Sequence, residues 1–126
     1  MQVFNTKLKD VKIIEPNLFE DERGFFMESY SKEKYKELGI DFNFVQDNHP
    51  LSVETGVVRG LHFQRGNAAQ TRLIRVLTGE VLDVVVNLRK GSPTYGQWES
   101  FILLMKIYVG IPICISFFLR VLEFIV

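Results

Sequence analysis

The sequence has little cysteine, no excess charge of either sign and no apolar run long enough to cross a bilayer. A single cysteine, Cys114, excludes an intrachain disulfide framework and fits a reducing compartment. The balance of 15 Lys and Arg against 15 Asp and Glu argues for neither nucleic acid nor a membrane surface as a partner. The N-terminus, Met1-Gln2-Val3-Phe4-Asn5, lacks the charged-then-apolar pattern of a signal peptide, so a cytoplasmic location is expected. The uncharged stretch between Lys106 and Arg120 falls short of the roughly 20 residues that span a bilayer, and Gly110 and Pro112 interrupt it. Internal repeats, linkers and low-complexity tracts are missing too. At 126 residues the chain is long enough for one domain with a real core and too short to expect two.

Phenylalanine is plentiful, at 11 residues, which fits many short strands or a deep aromatic-lined cavity. Weak alternation over residues 5–15 marks Val11, Ile13 and Ile14 as buried. Asp21-Glu22-Arg23-Gly24 reads as a turn leading into a strand over residues 25–30, which Arg23 and Glu28 bracket. Ser31 suits the N-cap of a helix over residues 32–38, with Glu33 near its positive end and Gly39 just beyond it. Residues 42–48 read as strand, with Gln46 and Asn48 on one face. That amide pair suits the edge of a pyrimidine ring or a sugar hydroxyl, and equally a turn ahead of Pro50. Further strands are expected over residues 70–77, 80–88 and from 97 onward. Arg72 and Arg75 then fall on opposite faces, and Thr78-Gly79 forms a two-residue hairpin loop. Short strands between Gly, Pro or Asn turns, with one short helix and no βαβ rhythm, indicate an antiparallel β-sandwich or barrel.

Chemistry concentrates in Val57-Val58-Arg59-Gly60-Leu61-His62-Phe63-Gln64. A cation, an imidazole and an amide within six positions of a rigid strand suit a site that holds an anionic ligand beside a base. The pattern also fits an ordinary half-buried strand with a satisfied histidine and two surface polar groups. Regular alternation puts Arg59 and His62 on opposite faces, so a shared pocket requires a bulge or sharp twist at Gly60. Asp83, inside the apolar run of residues 80–88, is either a buried acid orienting a histidine or a hydrogen-bonded structural carboxylate.

Five segments occur together in an informative order and spacing. They are Asp21-Glu22-Arg23-Gly24-Phe25-Phe26, Phe44-Val45-Gln46-Asp47-Asn48-His49, Val58-Arg59-Gly60-Leu61-His62-Phe63-Gln64, Gly79-Glu80-Val81-Leu82-Asp83-Val84 and Arg89-Lys90-Gly91-Ser92-Pro93-Thr94-Tyr95-Gly96. Over about residues 3–101 the chain resembles the dTDP-4-dehydrorhamnose 3,5-epimerase family of the dTDP-L-rhamnose pathway. The resemblance implies an all-β double-stranded β-helix of cupin or jelly-roll type, a homodimer, and neither metal nor cofactor. It implies a dTDP-4-keto-6-deoxy sugar as substrate, epimerised at C3 and C5 through enolates to dTDP-4-dehydro-L-rhamnose. Such chemistry needs a base, a cation for the developing oxyanion, and an acid on the other face of the ring. On this resemblance His62 is the base, and Arg23 and Arg59 bind the nucleotide diphosphate through their guanidinium forks. Glu28, Gln46, Asp47 and Asn48 correspond to other substrate contacts. The strand carrying Arg23 and Glu28 is implied to serve the partner subunit's site.

Two departures stand out. Arg72 occupies the place of a lysine beside the sugar ketone, which keeps the charge but changes shape and donor geometry. After Trp98 the family continues with a polar loop and an Ile-Pro-x-Gly-Phe-Ala-His-Gly-Phe motif. Here Ile111-Pro112 leads instead into Ile113-Cys114-Ile115-Ser116-Phe117, and the family's catalytic tyrosine and the acid partnering the base have no counterpart. The expected organisation is therefore the N-terminal part of a cupin-type epimerase domain, residues 1–103, and an atypical apolar tail, residues 104–126. A frameshifted or truncated reading frame would give such a tail. The fold is expected to be incomplete at its C-terminus, with residues 107–118 exposing an apolar patch. Weak or absent epimerase activity is the first functional expectation. A non-catalytic nucleotide-sugar binding protein of the same fold is the second, and a membrane-associated protein with a lipid-inserted tail is the third.

Overall fold

A computed structural model of the chain describes residues 1–105, 107–111 and 115–122. It opens with an antiparallel pair, β1 (Gln2–Asn5) and β2 (Lys12–Glu15), in which Val3 lies opposite Ile14. A second hairpin follows, β3 (Leu18–Asp21) and β4 (Gly24–Met27). It turns through Glu22 and Arg23, where the Asp21 carboxylate accepts the Arg23 amide at 2.9 Å, as aspartates do in turns. Helix α1 (Lys32–Glu37) starts where Ser31 Oγ accepts the Lys34 amide, and Gly39 at φ +79° follows its end.

The remaining strands are β5 (Val58–His62), β6 (Arg72–Arg75), β7 (Glu80–Asn87), β8 (Trp98–Leu103), β9 (Tyr108–Ile111) and β10 (Ile115–Leu122). They assemble with the first pair into two four-stranded sheets, ordered β1-β2-β9-β6 and β5-β10-β7-β8. The β3–β4 hairpin stands as a separate two-stranded sheet.

The burial of alternate residues sets the two large sheets face to face. On β7, Val81, Asp83, Val85 and Asn87 are buried while the residues between them are half-buried. Val109 of β9 lies between Ile13 and Ile74 in its own sheet. Those side chains meet Val81, Val85, Phe101 and Leu103 of the other sheet in one core. Each buried aliphatic or aromatic side chain contributes about 1.5–3 kcal/mol relative to leaving it in water. The opposite face of the first sheet carries Ile14 and Tyr108, which pack with Tyr35 of α1 and Ile40 into a second cluster. The result is the expected all-β arrangement of jelly-roll type with one short helix.

Two local expectations are corrected. Residues 42–48 form no strand; the described backbone there is irregular. Phe42 and Phe44 meet edge to face, Phe44 also meets Tyr30, and Gln46 bonds Asn48. Strand propensity alone is insufficient where no neighbouring backbone supplies a ladder. Thr78-Gly79 also does not close a hairpin, because β6 pairs with β9 while β7 pairs with β8 and β10. Val76 and Val81, on either side of the turn, are both buried in the inter-sheet core. The turn therefore carries the chain across the core from one sheet to the other.

Within residues 104–126, the described segments 108–111 and 115–122 are strands of the two large sheets. β9 lies between β2 and β6, and β10 lies between β5 and β7. An apolar run without alternation suits interior strands of this kind. Cys114 lies outside the described residues, as do several side chains on which an exposed patch over residues 107–118 would depend. Among the described residues no helix is long and apolar enough to cross a membrane.

Candidate active site

The register of β5 against β10 is irregular. His62 lies opposite Phe117 and Arg59 opposite Leu119, so three steps on β5 match two on β10. The extra residue makes a β-bulge at Gly60 and Leu61. Gly60 sits at φ +107°, a conformation that a side chain would oppose. Across β10, Phe117 lies opposite Val85 and Leu119 opposite Asp83. Directly opposed residues share a face of a sheet, so the bulge puts both His62 and Arg59 on the inner face with Val85 and Asp83. The irregularity expected at Gly60 is present. Arg59 and Asp83 are two strands apart, about 10 Å from backbone to backbone.

Every residue of β5 is exposed, which leaves His62 and Arg59 at an open rim of the inter-sheet space. The loop before β5 steadies the arginine. Its Nη2 donates to Ser52 Oγ at 3.2 Å and to the Leu51 carbonyl at 3.4 Å.

From the facing sheet comes Arg72. It lies two residues before Ile74, which packs against the core, so Arg72 shares the inner face. Arg75 falls on the other face, where its charge acts on Tyr35. Half-burial lowers the pKa of Arg72, and the charge of Asp83 opposes that fall.

Asp83 is fully buried. Burial pushes its pKa up to about 7, with Arg72 and the Val84 amide pulling the other way. Neither carboxylate oxygen has a hydrogen-bond partner at bonding geometry among the described residues, so the Val84 amide acts only weakly. Asn87, four residues on and equally buried, is fully engaged. Its Nδ2 donates to Ser92 Oγ at 2.8 Å and Thr94 Oγ1 at 2.6 Å, and its Oδ1 accepts the Arg89 amide at 3.0 Å. A buried polar group is ordinarily satisfied in this way, which makes the bare carboxylate of Asp83 the exception.

The inner faces thus carry an imidazole, two guanidinium groups and a buried carboxyl. Among the described residues no three His, Cys, Asp or Glu side chains cluster as a metal site requires. The other sequence candidates lie elsewhere. Arg23 is at the exposed hairpin tip, paired with Asp21; that hydrogen bond lowers the pKa of Asp21 and raises that of Arg23. Glu28 accepts Lys34 Nζ at 2.7 Å. Gln46 Nε2 donates to Asn48 Oδ1 at 2.9 Å, with Asp47 exposed between them. These residues sit on the hairpin, just after it and on the loop of residues 40–57, not on the sheets that carry His62 and Arg72. Asp83 joins the site although the sequence left its role open. The available signal was a lone carboxylate at an inward position of an alternating apolar strand.

The family described as dTDP-4-dehydrorhamnose 3,5-epimerase matches this chain over residues 5–114. The chain belongs to the dTDP-4-dehydrorhamnose 3,5-epimerase family. It is 56% identical over 99 residues to the dTDP-4-dehydrorhamnose 3,5-epimerase of Salmonella typhimurium, which covers 78% of this chain and 54% of that protein. The Escherichia coli epimerase is 46% identical over 104 residues, covering 82% of this chain and 56% of the relative. The chain therefore spans about half the length of the curated relatives it matches. Among solved structures, the epimerase of Bacillus anthracis with TDP and PPi bound superposes with a TM-score of 0.93 at 44% identity, covering 97% of this chain and 71% of that one. The Legionella pneumophila enzyme in complex with dTDP-4-keto-L-rhamnose superposes with a TM-score of 0.89 at 46% identity, covering 97% and 65%. The epimerase-family fold thus accounts for the two facing sheets and for β5 at the edge of one of them.

Proposed function

We propose that the space between the two sheets binds a dTDP-4-keto-6-deoxy sugar and that His62 takes the proton next to its ketone. The observation that carries this reading is the bulge at Gly60, which puts Arg59 and His62 on the inner face opposite the sheet of Arg72. The C–H bond at C3 or C5 breaks, the proton passes to the imidazole, and the electron pair becomes an enolate on the former C4 ketone oxygen. Arg72 supplies the positive charge that this oxygen requires. Arg59 at the rim suits the diphosphate. Return of the proton on the same side restores the substrate with a solvent isotope; return from the other side inverts the carbon.

Inversion needs a second acid. Among the described residues no tyrosine hydroxyl stands on the inner face. Tyr35 and Tyr108 belong to the cluster behind the first sheet, where the Tyr108 hydroxyl faces Met27 Sδ at 3.8 Å, and Tyr30 and Tyr95 are exposed. Lack of one positioned acid removes about 10²–10⁴-fold in rate. The chain therefore exchanges substrate protons faster than it inverts carbons. In this reading residues 1–103 carry the epimerase motifs, and residues 104–126 stand in place of the family's polar continuation.

The reading includes a homodimer in the cytoplasm, serving dTDP-L-rhamnose and hence cell-surface polysaccharide synthesis. Phe19 and Phe26 face each other across the hairpin and are 62% and 71% exposed. Such a surface, with Arg23 at its tip and Glu28 just beyond it, suits an element that reaches a second copy of the chain. In this reading Gln46, Asp47 and Asn48 supply further contacts to the sugar nucleotide.

Proton NMR of the substrate in D₂O tests the reading. The full chain is expected to wash deuterium into C3 or C5 with little net epimer, and His62→Ala to abolish the exchange. Binding of dTDP without any exchange leaves a nucleotide-sugar binding protein of the same fold. Full epimerisation abolished by His62→Ala would show that another acid completes the site, with Tyr95 the first to test.

A further inference from the structure

The segment before β5 is turned the wrong way for burial. Leu51 and Val53 are 76% and 82% exposed, while Ser52 between them is half-buried. Apolar burial would select the reverse, so a polar contact sets the orientation of this segment. That contact is to Arg59. The chain reverses through residues 54–56, with Gly56 at φ +79°, and returns as β5 with the arginine beside Ser52. Ser52 Oγ accepts Arg59 Nη2 at 3.2 Å and Nε at 3.4 Å, and the Leu51 carbonyl accepts Nη2 at 3.4 Å. A guanidinium carries five N–H donors in a fixed planar fork. Here the loop takes up the Nε–Nη2 edge, and Nη1 donates to no acceptor among the described residues.

We propose that Ser52 is a positioning residue for Arg59: its hydroxyl holds the Nε–Nη2 edge of the guanidinium so that Nη1 is presented to the diphosphate of the sugar nucleotide. This deepens the proposed function and rests on it. A free arginine at an exposed rim must be ordered at the moment of binding, which weakens affinity about two- to tenfold. The contacts to Ser52 and Leu51 do that ordering in advance, and paired donors from a guanidinium suit phosphate oxygens. The same contact limits where the loop can lie. Asn48 is four residues before Ser52, so at most about 14 Å of chain separates them. Asn48, with Gln46 bonded to it, therefore stays close enough to meet the sugar nucleotide whose diphosphate Arg59 holds.

Calorimetry with dTDP on the full chain tests this in a double-mutant cycle of Ser52→Ala and Arg59→Met. Ser52→Ala is expected to weaken dTDP binding about two- to tenfold beside Arg59 and to have no effect in the Arg59→Met background. A residue that acts through the arginine has nothing to act on once the arginine is gone. Ser52→Thr keeps the hydroxyl and is expected to bind dTDP as wild type does. Unchanged affinity in Ser52→Ala would overturn the positioning role. So would the same loss in both backgrounds, which marks a general disturbance of the loop.

A second arm needs no ligand. By nitrogen-15 NMR, the Arg59 Nε proton is expected to exchange with solvent several-fold faster in Ser52→Ala than in wild type, with the other arginine signals unmoved. Ser52 belongs to neither buried cluster, so the variant is expected to fold. Equal exchange in the two chains would overturn the contact itself. Failure of wild type to bind dTDP would instead bring down the proposed function, and the Nε exchange still decides whether Ser52 holds Arg59.

Discussion

Replacing Asp83 by asparagine should flatten the pH dependence of stability. The carboxyl has its pKa raised by burial from 3.8 to about 7 in the folded chain. A raised acid binds its proton more tightly when folded, so the stability it lends is full below pH 3.8 and is lost as pH rises through 7. At about 1.4 kcal/mol for each tenfold in proton affinity, the whole effect is about 4 kcal/mol. Roughly 3 kcal/mol of it falls between pH 5 and pH 8, a large share of the 5–15 kcal/mol that holds a domain folded. With a urea slope of about 1–3 kcal/mol per molar, the midpoint of wild type should drop by about 1–3 M over that interval. Asparagine does not ionise, so Asp83→Asn should lack this component while every other titrating group stays in place. Urea melts of both chains at the two pH values give the difference directly. Equal pH dependence in wild type and Asp83→Asn would refute the assignment of the burial cost to this carboxyl.

Three further outcomes are expected. Asn87→Ala leaves the Ser92 and Thr94 hydroxyls and the Arg89 amide without their partner, and should cost about 2–4 kcal/mol, read as a fall in urea midpoint. Gly60→Ala forces a side chain into a φ of +107° and should cost about 1–3 kcal/mol in the same melt. If it instead regularises β5, His62 and Arg59 part to opposite faces, and deuterium wash-in should fall with it. Arg72→Met removes the charge facing the enolate oxygen and should lower wash-in by about 10²–10³-fold with dTDP affinity little changed, measured by NMR and calorimetry.

Much of the architecture was legible in the residues. The helix was readable because its signals are local: Ser31 caps it through its own hydroxyl, and Gly39 takes the φ that ends it. The strand over β7 was readable because alternation at a period of two survives any choice of partner. The bulge was inferred by requiring Arg59 and His62 to share a pocket, and the register confirms it. The strand expected over residues 42–48 failed for the converse reason. Phe42, Phe44 and Val45 carry strand propensity, but a ladder needs a neighbouring backbone that propensity does not supply.

The amino-acid sequence by itself determined the all-β class, the family and the presence of His62, Arg59 and Arg72, since composition, periodicity and motif spacing are properties of one chain read locally. Tertiary structure alone decided which of these residues meet. Thr78-Gly79 reads as a hairpin in sequence, yet Val76 and Val81 enter the same core and send β6 and β7 to different sheets. That crossing puts Arg72 and Asp83 on facing sheets, a relation that no local pattern encodes. Side-chain burial acts between segments distant in sequence: it holds Tyr108 and Val109 of β9 between β2 and β6, and it raises the proton affinity of Asp83.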